Sequence, residues 1–147
     1  MEVYSIGFAK RSAEDFFETL KKHRIERLLD VRLRNASQLA GYTKRDDLPY
    51  FLRELVGASY KHEPLLAPLP ELLDAYRMRQ VNWAEYEERF LILMACRRVE
   101  ERISPSLFDK RTVLLCSERD PTQCHRRLVL EFLQDSWGEK ALRIVHL

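Results

Sequence analysis

Hydrophobic positions along the chain fall into two alternating patterns. In the first, Ala13, Phe16, Phe17 and Leu20 follow each other at i, i+3, i+4 and i+7, which is the apolar stripe of an amphipathic helix. Ser12 just before this stripe, with an acidic residue three positions on, is typical of a helix start. The second pattern is a short apolar run, which suits a strand buried on both faces. Such runs predict five strands, at residues 2–6, 27–31, 58–62, 112–116 and 142–147.

Helical segments separate these predicted strands. After the helix that follows Ser12, they are predicted at residues 46–57, 71–77, 82–102 and 120–138. One face of the 82–102 segment is expected to lie in the core, through Trp83, Tyr86, Phe90 and Met94.

Strands that alternate with helices imply right-handed crossovers and a parallel sheet covered on both faces. The predicted fold class is therefore α/β, with three α/β/α layers around a mostly parallel sheet of about five strands. The length suits a single domain over residues 1–147. We predict the strand order 3-2-1-4-5, which places strands 1 and 4 at the switch point where open parallel sheets bind ligands.

Composition restricts the cellular setting more than the function. No apolar run reaches the roughly 18 residues that a membrane span needs. The first residues lack the basic and apolar regions of a signal peptide, so we expect a cytoplasmic protein with no membrane partner. Three cysteines, an odd number, favour reduced thiols over a disulfide framework. Neither composition nor pattern predicts the oligomeric state.

The placement of the basic residues says more than their total. The net charge is only +2, but arginines outnumber lysines by 18 to 7, and nine of the 25 basic residues fall in three loops at one edge of the predicted sheet. Arginine presents a rigid fork to phosphate or carboxylate, so this edge favours an anionic ligand. The alternative is that arginine usage follows genome composition or growth temperature. The predicted anion-binding residues are Gly7, Arg11, Arg32 and Arg126.

Reactive side chains are concentrated in the segment from Cys116 to Arg126, after the fourth predicted strand. Cys124 lies in the first turn of the predicted helix, where the helix dipole and nearby arginines would lower a thiol pKa. We therefore expect Cys124, rather than Cys116, to be the more reactive thiol. The second predicted strand ends near the same edge. The candidate catalytic residues are Asp30, Cys116, Glu118, Cys124 and His125.

Each of these residues also has a structural interpretation. Cys116 ends an apolar strand and is equally well explained as buried filler. His125 could simply bond a backbone carbonyl, and Asp30 could form an ion pair with Arg32. Glu118 would be a solvated loop residue if the site lay elsewhere. The convergence of these residues on one edge, rather than any single one, indicates a site.

The segment from Cys116 to Arg126 does not match the common phosphate-binding or metal-binding motifs. A phosphatase-type loop often carries arginine six positions after its cysteine, whereas Thr122 stands there after Cys116. The chain has no Gly-rich phosphate loop of either common type. Cys116, Cys124 and His125 could supply soft metal ligands, but the adjacent Cys124 and His125 would point in different directions from one helical turn, and no Cys-x-x-Cys pair is present. No metal and no other cofactor is therefore expected.

The whole chain resembles the DUF488 family. The most specific match is the string Cys-x-Glu-x-x-Pro-x-x-Cys-His-Arg over residues 116–126. Further matches are Ser5-Ile6-Gly7-Phe8 with Arg11, Leu29-Asp30-Val31-Arg32, the Tyr86 helix and the terminal Val145-His146-Leu147. The stretch Phe8-Ala9-Lys10 departs from relatives that carry small polar residues there, often with histidine. The resemblance implies an α/β fold and a site at these residues, but no activity, because the family name records an unknown function.

These observations favour a small enzyme that acts on a phosphate-bearing substrate, such as a nucleotide or a nucleic-acid end. In that hypothesis Arg11, Arg32 and Arg126 clamp the anion, His125 or Asp30 handles protons, and a cysteine acts as nucleophile. One alternative is a nucleotide- or nucleic-acid-binding module that uses the same basic edge without chemistry. Another is a structural or interaction protein, in which the polar residues form only a buried network.

Overall fold

A computed structural model describes residues 1–36 and 40–147. Within this part of the chain, five parallel strands form one sheet in the order β3-β2-β4-β1-β5. The predicted α/β class and mostly parallel sheet of about five strands are confirmed, and the observed sheet is parallel throughout. The strand bounds are β1 Glu2–Gly7, β2 Arg27–Asp30, β3 Ser59–His62, β4 Thr112–Cys116 and β5 Arg143–His146. Part of the loop predicted over residues 32–43 lies outside the described residues.

The predicted strand order is wrong in two of its pairings. Strands β1 and β4 are neighbours, as predicted, but β4 also pairs with β2, and β5 pairs with β1. The reason is burial: all five residues of β4 are buried, so this strand takes the central position of the sheet. As a result, the carboxyl ends of β2, β4 and β1 lie side by side.

Helices cover both faces of the sheet. On one face, α1 and α2 pack through residues such as Phe16 and Leu48 against Ile6 and Val113 of the sheet. On the other face lie α3 to α6, which contribute Phe90 and others to a second core. The helix bounds are α1 Ala13–Lys22, α2 Leu48–Phe51, α3 Pro70–Arg77, α4 Trp83–Arg97, α5 Val99–Arg102 and α6 His125–Trp137.

Three helix boundaries show how local signals act. The Ser12 cap is confirmed, because its hydroxyl accepts a hydrogen bond from the Asp15 N–H at 3.0 Å. The predicted 82–102 helix is broken at Arg98, whose φ of 53° and ψ of 48° are left-handed and end α4 before the short α5. After α2 the chain continues in a wider helical turn over Leu52–Val56, and Gly57 stops it with a positive φ of 78°. None of the helices described here is both long and apolar enough to cross a membrane.

Candidate functional site

Three parallel strands end together at one edge of the sheet. Gly7 pairs with Cys116 across β1 and β4, and Asp30 pairs with Leu115 across β2 and β4. The loops that follow these strands therefore meet beyond their carboxyl ends, which is where open parallel sheets bind ligands. A backbone hydrogen bond of 2.9 Å from the Ala9 N–H to the Ser117 carbonyl ties the first loop to the third.

The segment between β4 and α6 is a short turn followed by one extended residue. The Asp120 carboxylate accepts a hydrogen bond from the Thr122 N–H at 2.9 Å and starts a single 3₁₀ turn over Pro121–Gln123. Cys124 then adopts φ −140° and ψ 137°, and α6 begins only at His125. The prediction that the helix starts at Asp120 is wrong, because Asp120 caps the separate turn.

This extended residue brings three reactive side chains together. The Sγ atoms of Cys116 and Cys124 and a ring nitrogen of His125 all lie within 4.8 Å of one another, and all three residues are buried. His125 Nδ1 lies 3.5 Å from Cys116 Sγ. The expectation that Cys124 and His125 point in different directions is wrong, because Cys124 precedes the helix and is not part of its first turn. We call these three residues the Cys-Cys-His cluster.

The ring of His125 is held in one orientation. Its Nε2 lies 2.7 Å from the Val31 carbonyl oxygen, and since a carbonyl can only accept, Nε2 carries the proton. In the neutral ring, Nδ1 is then the acceptor that faces Cys116. The ring also packs against Phe90, with 5.5 Å between ring centroids. The hydrogen bond to a backbone carbonyl, which was the structural interpretation of His125, is thus present. It also directs Nδ1 at the Cys116 thiol.

The two thiols differ in acidity, in the order opposite to that expected. The pKa of Cys116 is lowered, first by a hydrogen bond with Cys124, and further by the charge of Arg126 and by two backbone N–H groups. Burial raises the pKa of Cys124 well above its usual value, and the hydrogen bond with Cys116 raises it further. Cys124 is the N-cap of α6, but burial and the neighbouring Cys116 outweigh any lowering of its pKa by the helix dipole. Cys116, at the end of β4, is the more acidic thiol.

The cluster lies at the floor of a pocket that is open to solvent. One wall consists of Tyr76, Trp83 and Tyr86, with ring centroids 5.0 to 5.7 Å apart. An aromatic wall beside a few convergent polar groups is typical of small-molecule sites. The rim carries polar and charged groups, namely Arg34, Arg77, Ser117, Glu118 and Gln123.

Sequence reasoning missed this aromatic wall. It assigned Trp83 and Tyr86 to the core, and Tyr86 is indeed buried, whereas Trp83 is only partly buried and faces the pocket. The periodicity of α4 gives no sign of this, because a residue that lines a pocket and one that fills a core share the same helical face. Arg77 at the end of α3 was also missed. Its side chain is exposed, and it reaches the pocket only because α3 packs beside it, which the sequence pattern does not show.

Arg126 is a fully buried cation whose donors bind the protein itself. Its Nε donates to Ser5 Oγ at 3.0 Å, and its two terminal nitrogens donate to the carbonyls of Glu118 and Arg119, the latter at 3.0 Å. Among the described residues it forms no ion pair with a carboxylate. Arg126 therefore holds the loop after β4 in place and adds a positive charge beneath the Cys-Cys-His cluster.

Arg11 is likewise engaged by protein acceptors. It donates to the Gly7 carbonyl at 2.9 Å, to Asp15 at 2.9 Å and to the Leu147 carbonyl at 2.8 Å. Gly7 itself permits close packing, because a Cβ at this position would lie 1.6 Å from the Glu118 carbonyl oxygen. Both residues fix the edge of the sheet, and neither lines the pocket above the cluster.

Asp30 and Arg32 form a buried pair with full hydrogen bonding. Asp30 accepts two hydrogen bonds from the Arg32 side chain, each 2.9 Å long, and one from the Tyr60 hydroxyl at 2.6 Å. Arg32 also donates to the Thr43 carbonyl at 2.6 Å and places its guanidinium over the Phe8 ring. This matches the structural interpretation of Asp30, which fixes the loop after β2 rather than facing the pocket.

Comparison with known proteins adds one assignment. A family model described as "Domain of unknown function DUF488" matches residues 12–133. No curated protein and no solved structure matches the chain.

Proposed function

The chain belongs to the DUF488 family, and since that family carries no assigned activity, we propose from the site itself that the protein is a small enzyme. Its substrate bears a phosphate group and a flat unsaturated part, as a nucleotide does. The reacting group of the substrate lies against the Cys-Cys-His cluster at the floor of the pocket.

One observation carries this proposal. Three side chains capable of chemistry, which the sequence separates by up to nine positions, meet at the floor of one open pocket. Packing of a hydrophobic core does not require two thiols and an oriented imidazole beside a cavity. Buried reactive groups beside a shaped pocket are the usual arrangement of an active site.

The charges around the pocket support an anionic substrate. Three arginines line the pocket, of which Arg32 is buried and paired with Asp30, and Glu118 is the one acid among the lining residues described. Arg34 donates two hydrogen bonds, of 2.8 and 3.2 Å, to the Asp74 carboxylate. Arg77, in contrast, is exposed and makes no ion pair among the described residues. The buried charge of Arg126 adds to this field from below. Arg77 is therefore the residue we assign to phosphate, in place of Arg11, Arg32 and Arg126.

The aromatic wall supports a flat group on the same substrate. Trp83 and Tyr86 stack with 5.1 Å between centroids and an interplanar angle of 21°, and Tyr76 leans on both. Base–aromatic stacking stabilises a bound base by about 1–3 kcal/mol. A nucleotide would thus place its base against this wall and its phosphate at Arg77.

A non-catalytic nucleotide-binding module is the second candidate, because the basic rim and the aromatic wall alone would serve it. The two candidates differ in what they require of the cluster. Binding needs only the wall and the rim, whereas catalysis needs Cys116.

Turnover with a matched pair of cysteine variants tests the proposal. The wild-type chain, Cys116→Ser and Cys96→Ser are incubated with a panel of nucleoside mono-, di- and triphosphates, and conversion is followed by liquid chromatography. Cys96 is exposed and distant in sequence from the cluster, so its variant controls for loss of a thiol. We expect wild type and Cys96→Ser to convert the same substrate at equal rates. Cys116→Ser should be slower by about 100-fold or more, the usual contribution of a reactive group.

Two results would count against the enzyme. Equal turnover in Cys116→Ser and wild type would remove the cluster from the chemistry. Saturable binding of a nucleotide with no conversion by any of the three proteins would favour the binding module instead.

A further inference from the structure

We infer that Cys116, Cys124 and His125 bind one thiophilic divalent cation, of which Zn²⁺ is the natural choice. The fourth coordination position of the ion is open to the pocket. This inference deepens the proposed function, on which it rests for the substrate placed beside the metal, but binding of the ion is measured without any substrate.

The spacing of the donor atoms fits tetrahedral coordination. Zn–S bonds of about 2.3 Å and Zn–N bonds of about 2.0–2.1 Å at the tetrahedral angle put sulfur and nitrogen about 3.6 Å apart. Cys116 Sγ and His125 Nδ1 are 3.5 Å apart, and all three donor atoms lie within 4.8 Å of one another. An ion could therefore bind with small side-chain rotations and no movement of the backbone.

The surroundings are those that orient metal ligands. A histidine that binds a metal through one nitrogen normally donates the other N–H to a carbonyl or a carboxylate. His125 does this with the Val31 carbonyl at 2.7 Å, which leaves Nδ1 directed at the cluster.

The choice of ion and the open position follow from the ligand set. Two thiolates and one imidazole favour zinc or another soft ion over magnesium or calcium, which prefer oxygen. Structural zinc sites are closed by four protein ligands, whereas catalytic sites keep one position for water or substrate. Within the described residues the cluster contains three ligands, and all three line the pocket. The predicted site is therefore of the catalytic type.

The charge balance links the metal to the anionic substrate. Two thiolates neutralise a divalent ion, so the buried Arg126 leaves one positive charge in the site. An anionic oxygen of a phosphate, or a hydroxide, at the fourth position would neutralise it. The metal thus gives the floor of the pocket the same preference for anions that Arg77 gives its rim.

Cobalt titration of the full chain tests the inference. The protein is stripped with a chelator under reducing conditions and titrated with Co²⁺, whose thiolate charge-transfer bands and strong visible bands report tetrahedral sulfur coordination. Zn²⁺ is then added in competition. We expect one Co²⁺ per chain, displaced by one Zn²⁺, in both wild type and Cys96→Ser. Because the chain has three cysteines, bands that persist in Cys96→Ser belong to Cys116 and Cys124.

The ligand variants give the second arm. Cys116→Ser and Cys124→Ser should weaken Zn²⁺ binding by at least about 100-fold, since loss of an outer-shell partner alone costs about 10- to 100-fold. Their folding is checked by circular dichroism. If either variant is unfolded, the Co²⁺ spectrum of Cys96→Ser tests whether Cys116 and Cys124 bind the ion. Absence of thiolate–Co²⁺ bands in wild type, loss of these bands in Cys96→Ser, or unchanged Zn²⁺ affinity in folded Cys116→Ser would each overturn the inference. Zinc binding without nucleotide turnover would retain the metal site and reject the proposed enzyme.

Discussion

Replacement of Gly7 by alanine is expected to destabilise the protein by about 3 kcal/mol or more, at or above the upper end of the cost of overpacking. The added Cβ would lie 1.6 Å from the carbonyl oxygen of Glu118 and 2.9 Å from the Arg119 nitrogen. Both are backbone atoms, and a hydrogen bond from Arg126 holds the Glu118 carbonyl in place. The loop after β4 therefore cannot yield without breaking the hydrogen bonds of a buried cation.

Urea denaturation of Gly7→Ala and Gly41→Ala measures this effect. Gly41 is a matched control, because a Cβ there meets no described residue within 4 Å and its φ is not positive. Gly41→Ala should be neutral or slightly stabilising, since alanine reduces the entropy of the unfolded chain. If the two variants had equal stability, the close contact between the ends of β1 and the β4 loop would be disproved.

Replacement of Arg126 by methionine is expected to lower the free energy of unfolding by roughly 2–4 kcal/mol. Methionine fills much of the same volume but donates no hydrogen bond, so Ser5 Oγ and the carbonyls of Glu118 and Arg119 lose their partner. Hydrogen bonds to a charged group contribute about 1.5–3 kcal/mol each. Removal of a desolvated charge offsets part of that loss.

The neighbouring Arg127 provides the control for this variant. Its guanidinium pairs at the surface with Glu131 at 3.0 Å and with Glu87 at 3.6 Å, and its side chain is 22% exposed. Partly exposed pairs of this kind contribute about 1 kcal/mol or less, so Arg127→Met should have a small effect. Equal losses in the two variants, measured by denaturant unfolding, would show that Arg126 is not the residue that holds the loop.

The strands and most helices could be predicted from the chain because each is specified locally. The apolar run Thr112–Cys116 and the Ser12 cap need no knowledge of distant residues. The strand order depends on which strand is buried most completely on both faces, which is a property of the whole sheet. The placement of β4 between β2 and β1 therefore could not be derived from the alternation of strands and helices.

The sequence placed the candidate site in the segment from Cys116 to Arg126, but the internal geometry of that segment could not be predicted. The side-chain directions at Cys124 depend on a three-residue turn that ends one residue before α6. A helix that began at Asp120 would fit the same residues equally well, but it would direct the side chains of Cys124 and His125 away from each other. Because of that one difference, the expected order of thiol acidity was the reverse of the order found, and the convergence of Cys116, Cys124 and His125 was not predicted.

The arginines show a similar limit. Sequence placed them at the correct edge, but their roles are set by neighbours that only the fold supplies. Arg126 meets two carbonyls of its own loop, and Arg32 meets Asp30. Arg77, which sequence gave no reason to select, also lines the pocket and makes no ion pair among the described residues.

The central claim is that a phosphate-bearing substrate binds in the pocket above the Cys-Cys-His cluster, and tryptophan fluorescence tests it most directly. The chain has two tryptophans, so Trp137→Phe leaves Trp83 in the pocket wall as the sole reporter. Titration with a nucleoside monophosphate should give a saturable change. The affinity should fall about tenfold or more when Arg77→Ala is added, since a hydrogen bond to a charged group contributes about 1.5–3 kcal/mol. The free nucleoside is the control ligand, and its affinity should be insensitive to Arg77→Ala. No saturable change at Trp83, or equal nucleotide affinity with and without Arg77, would contradict the claim.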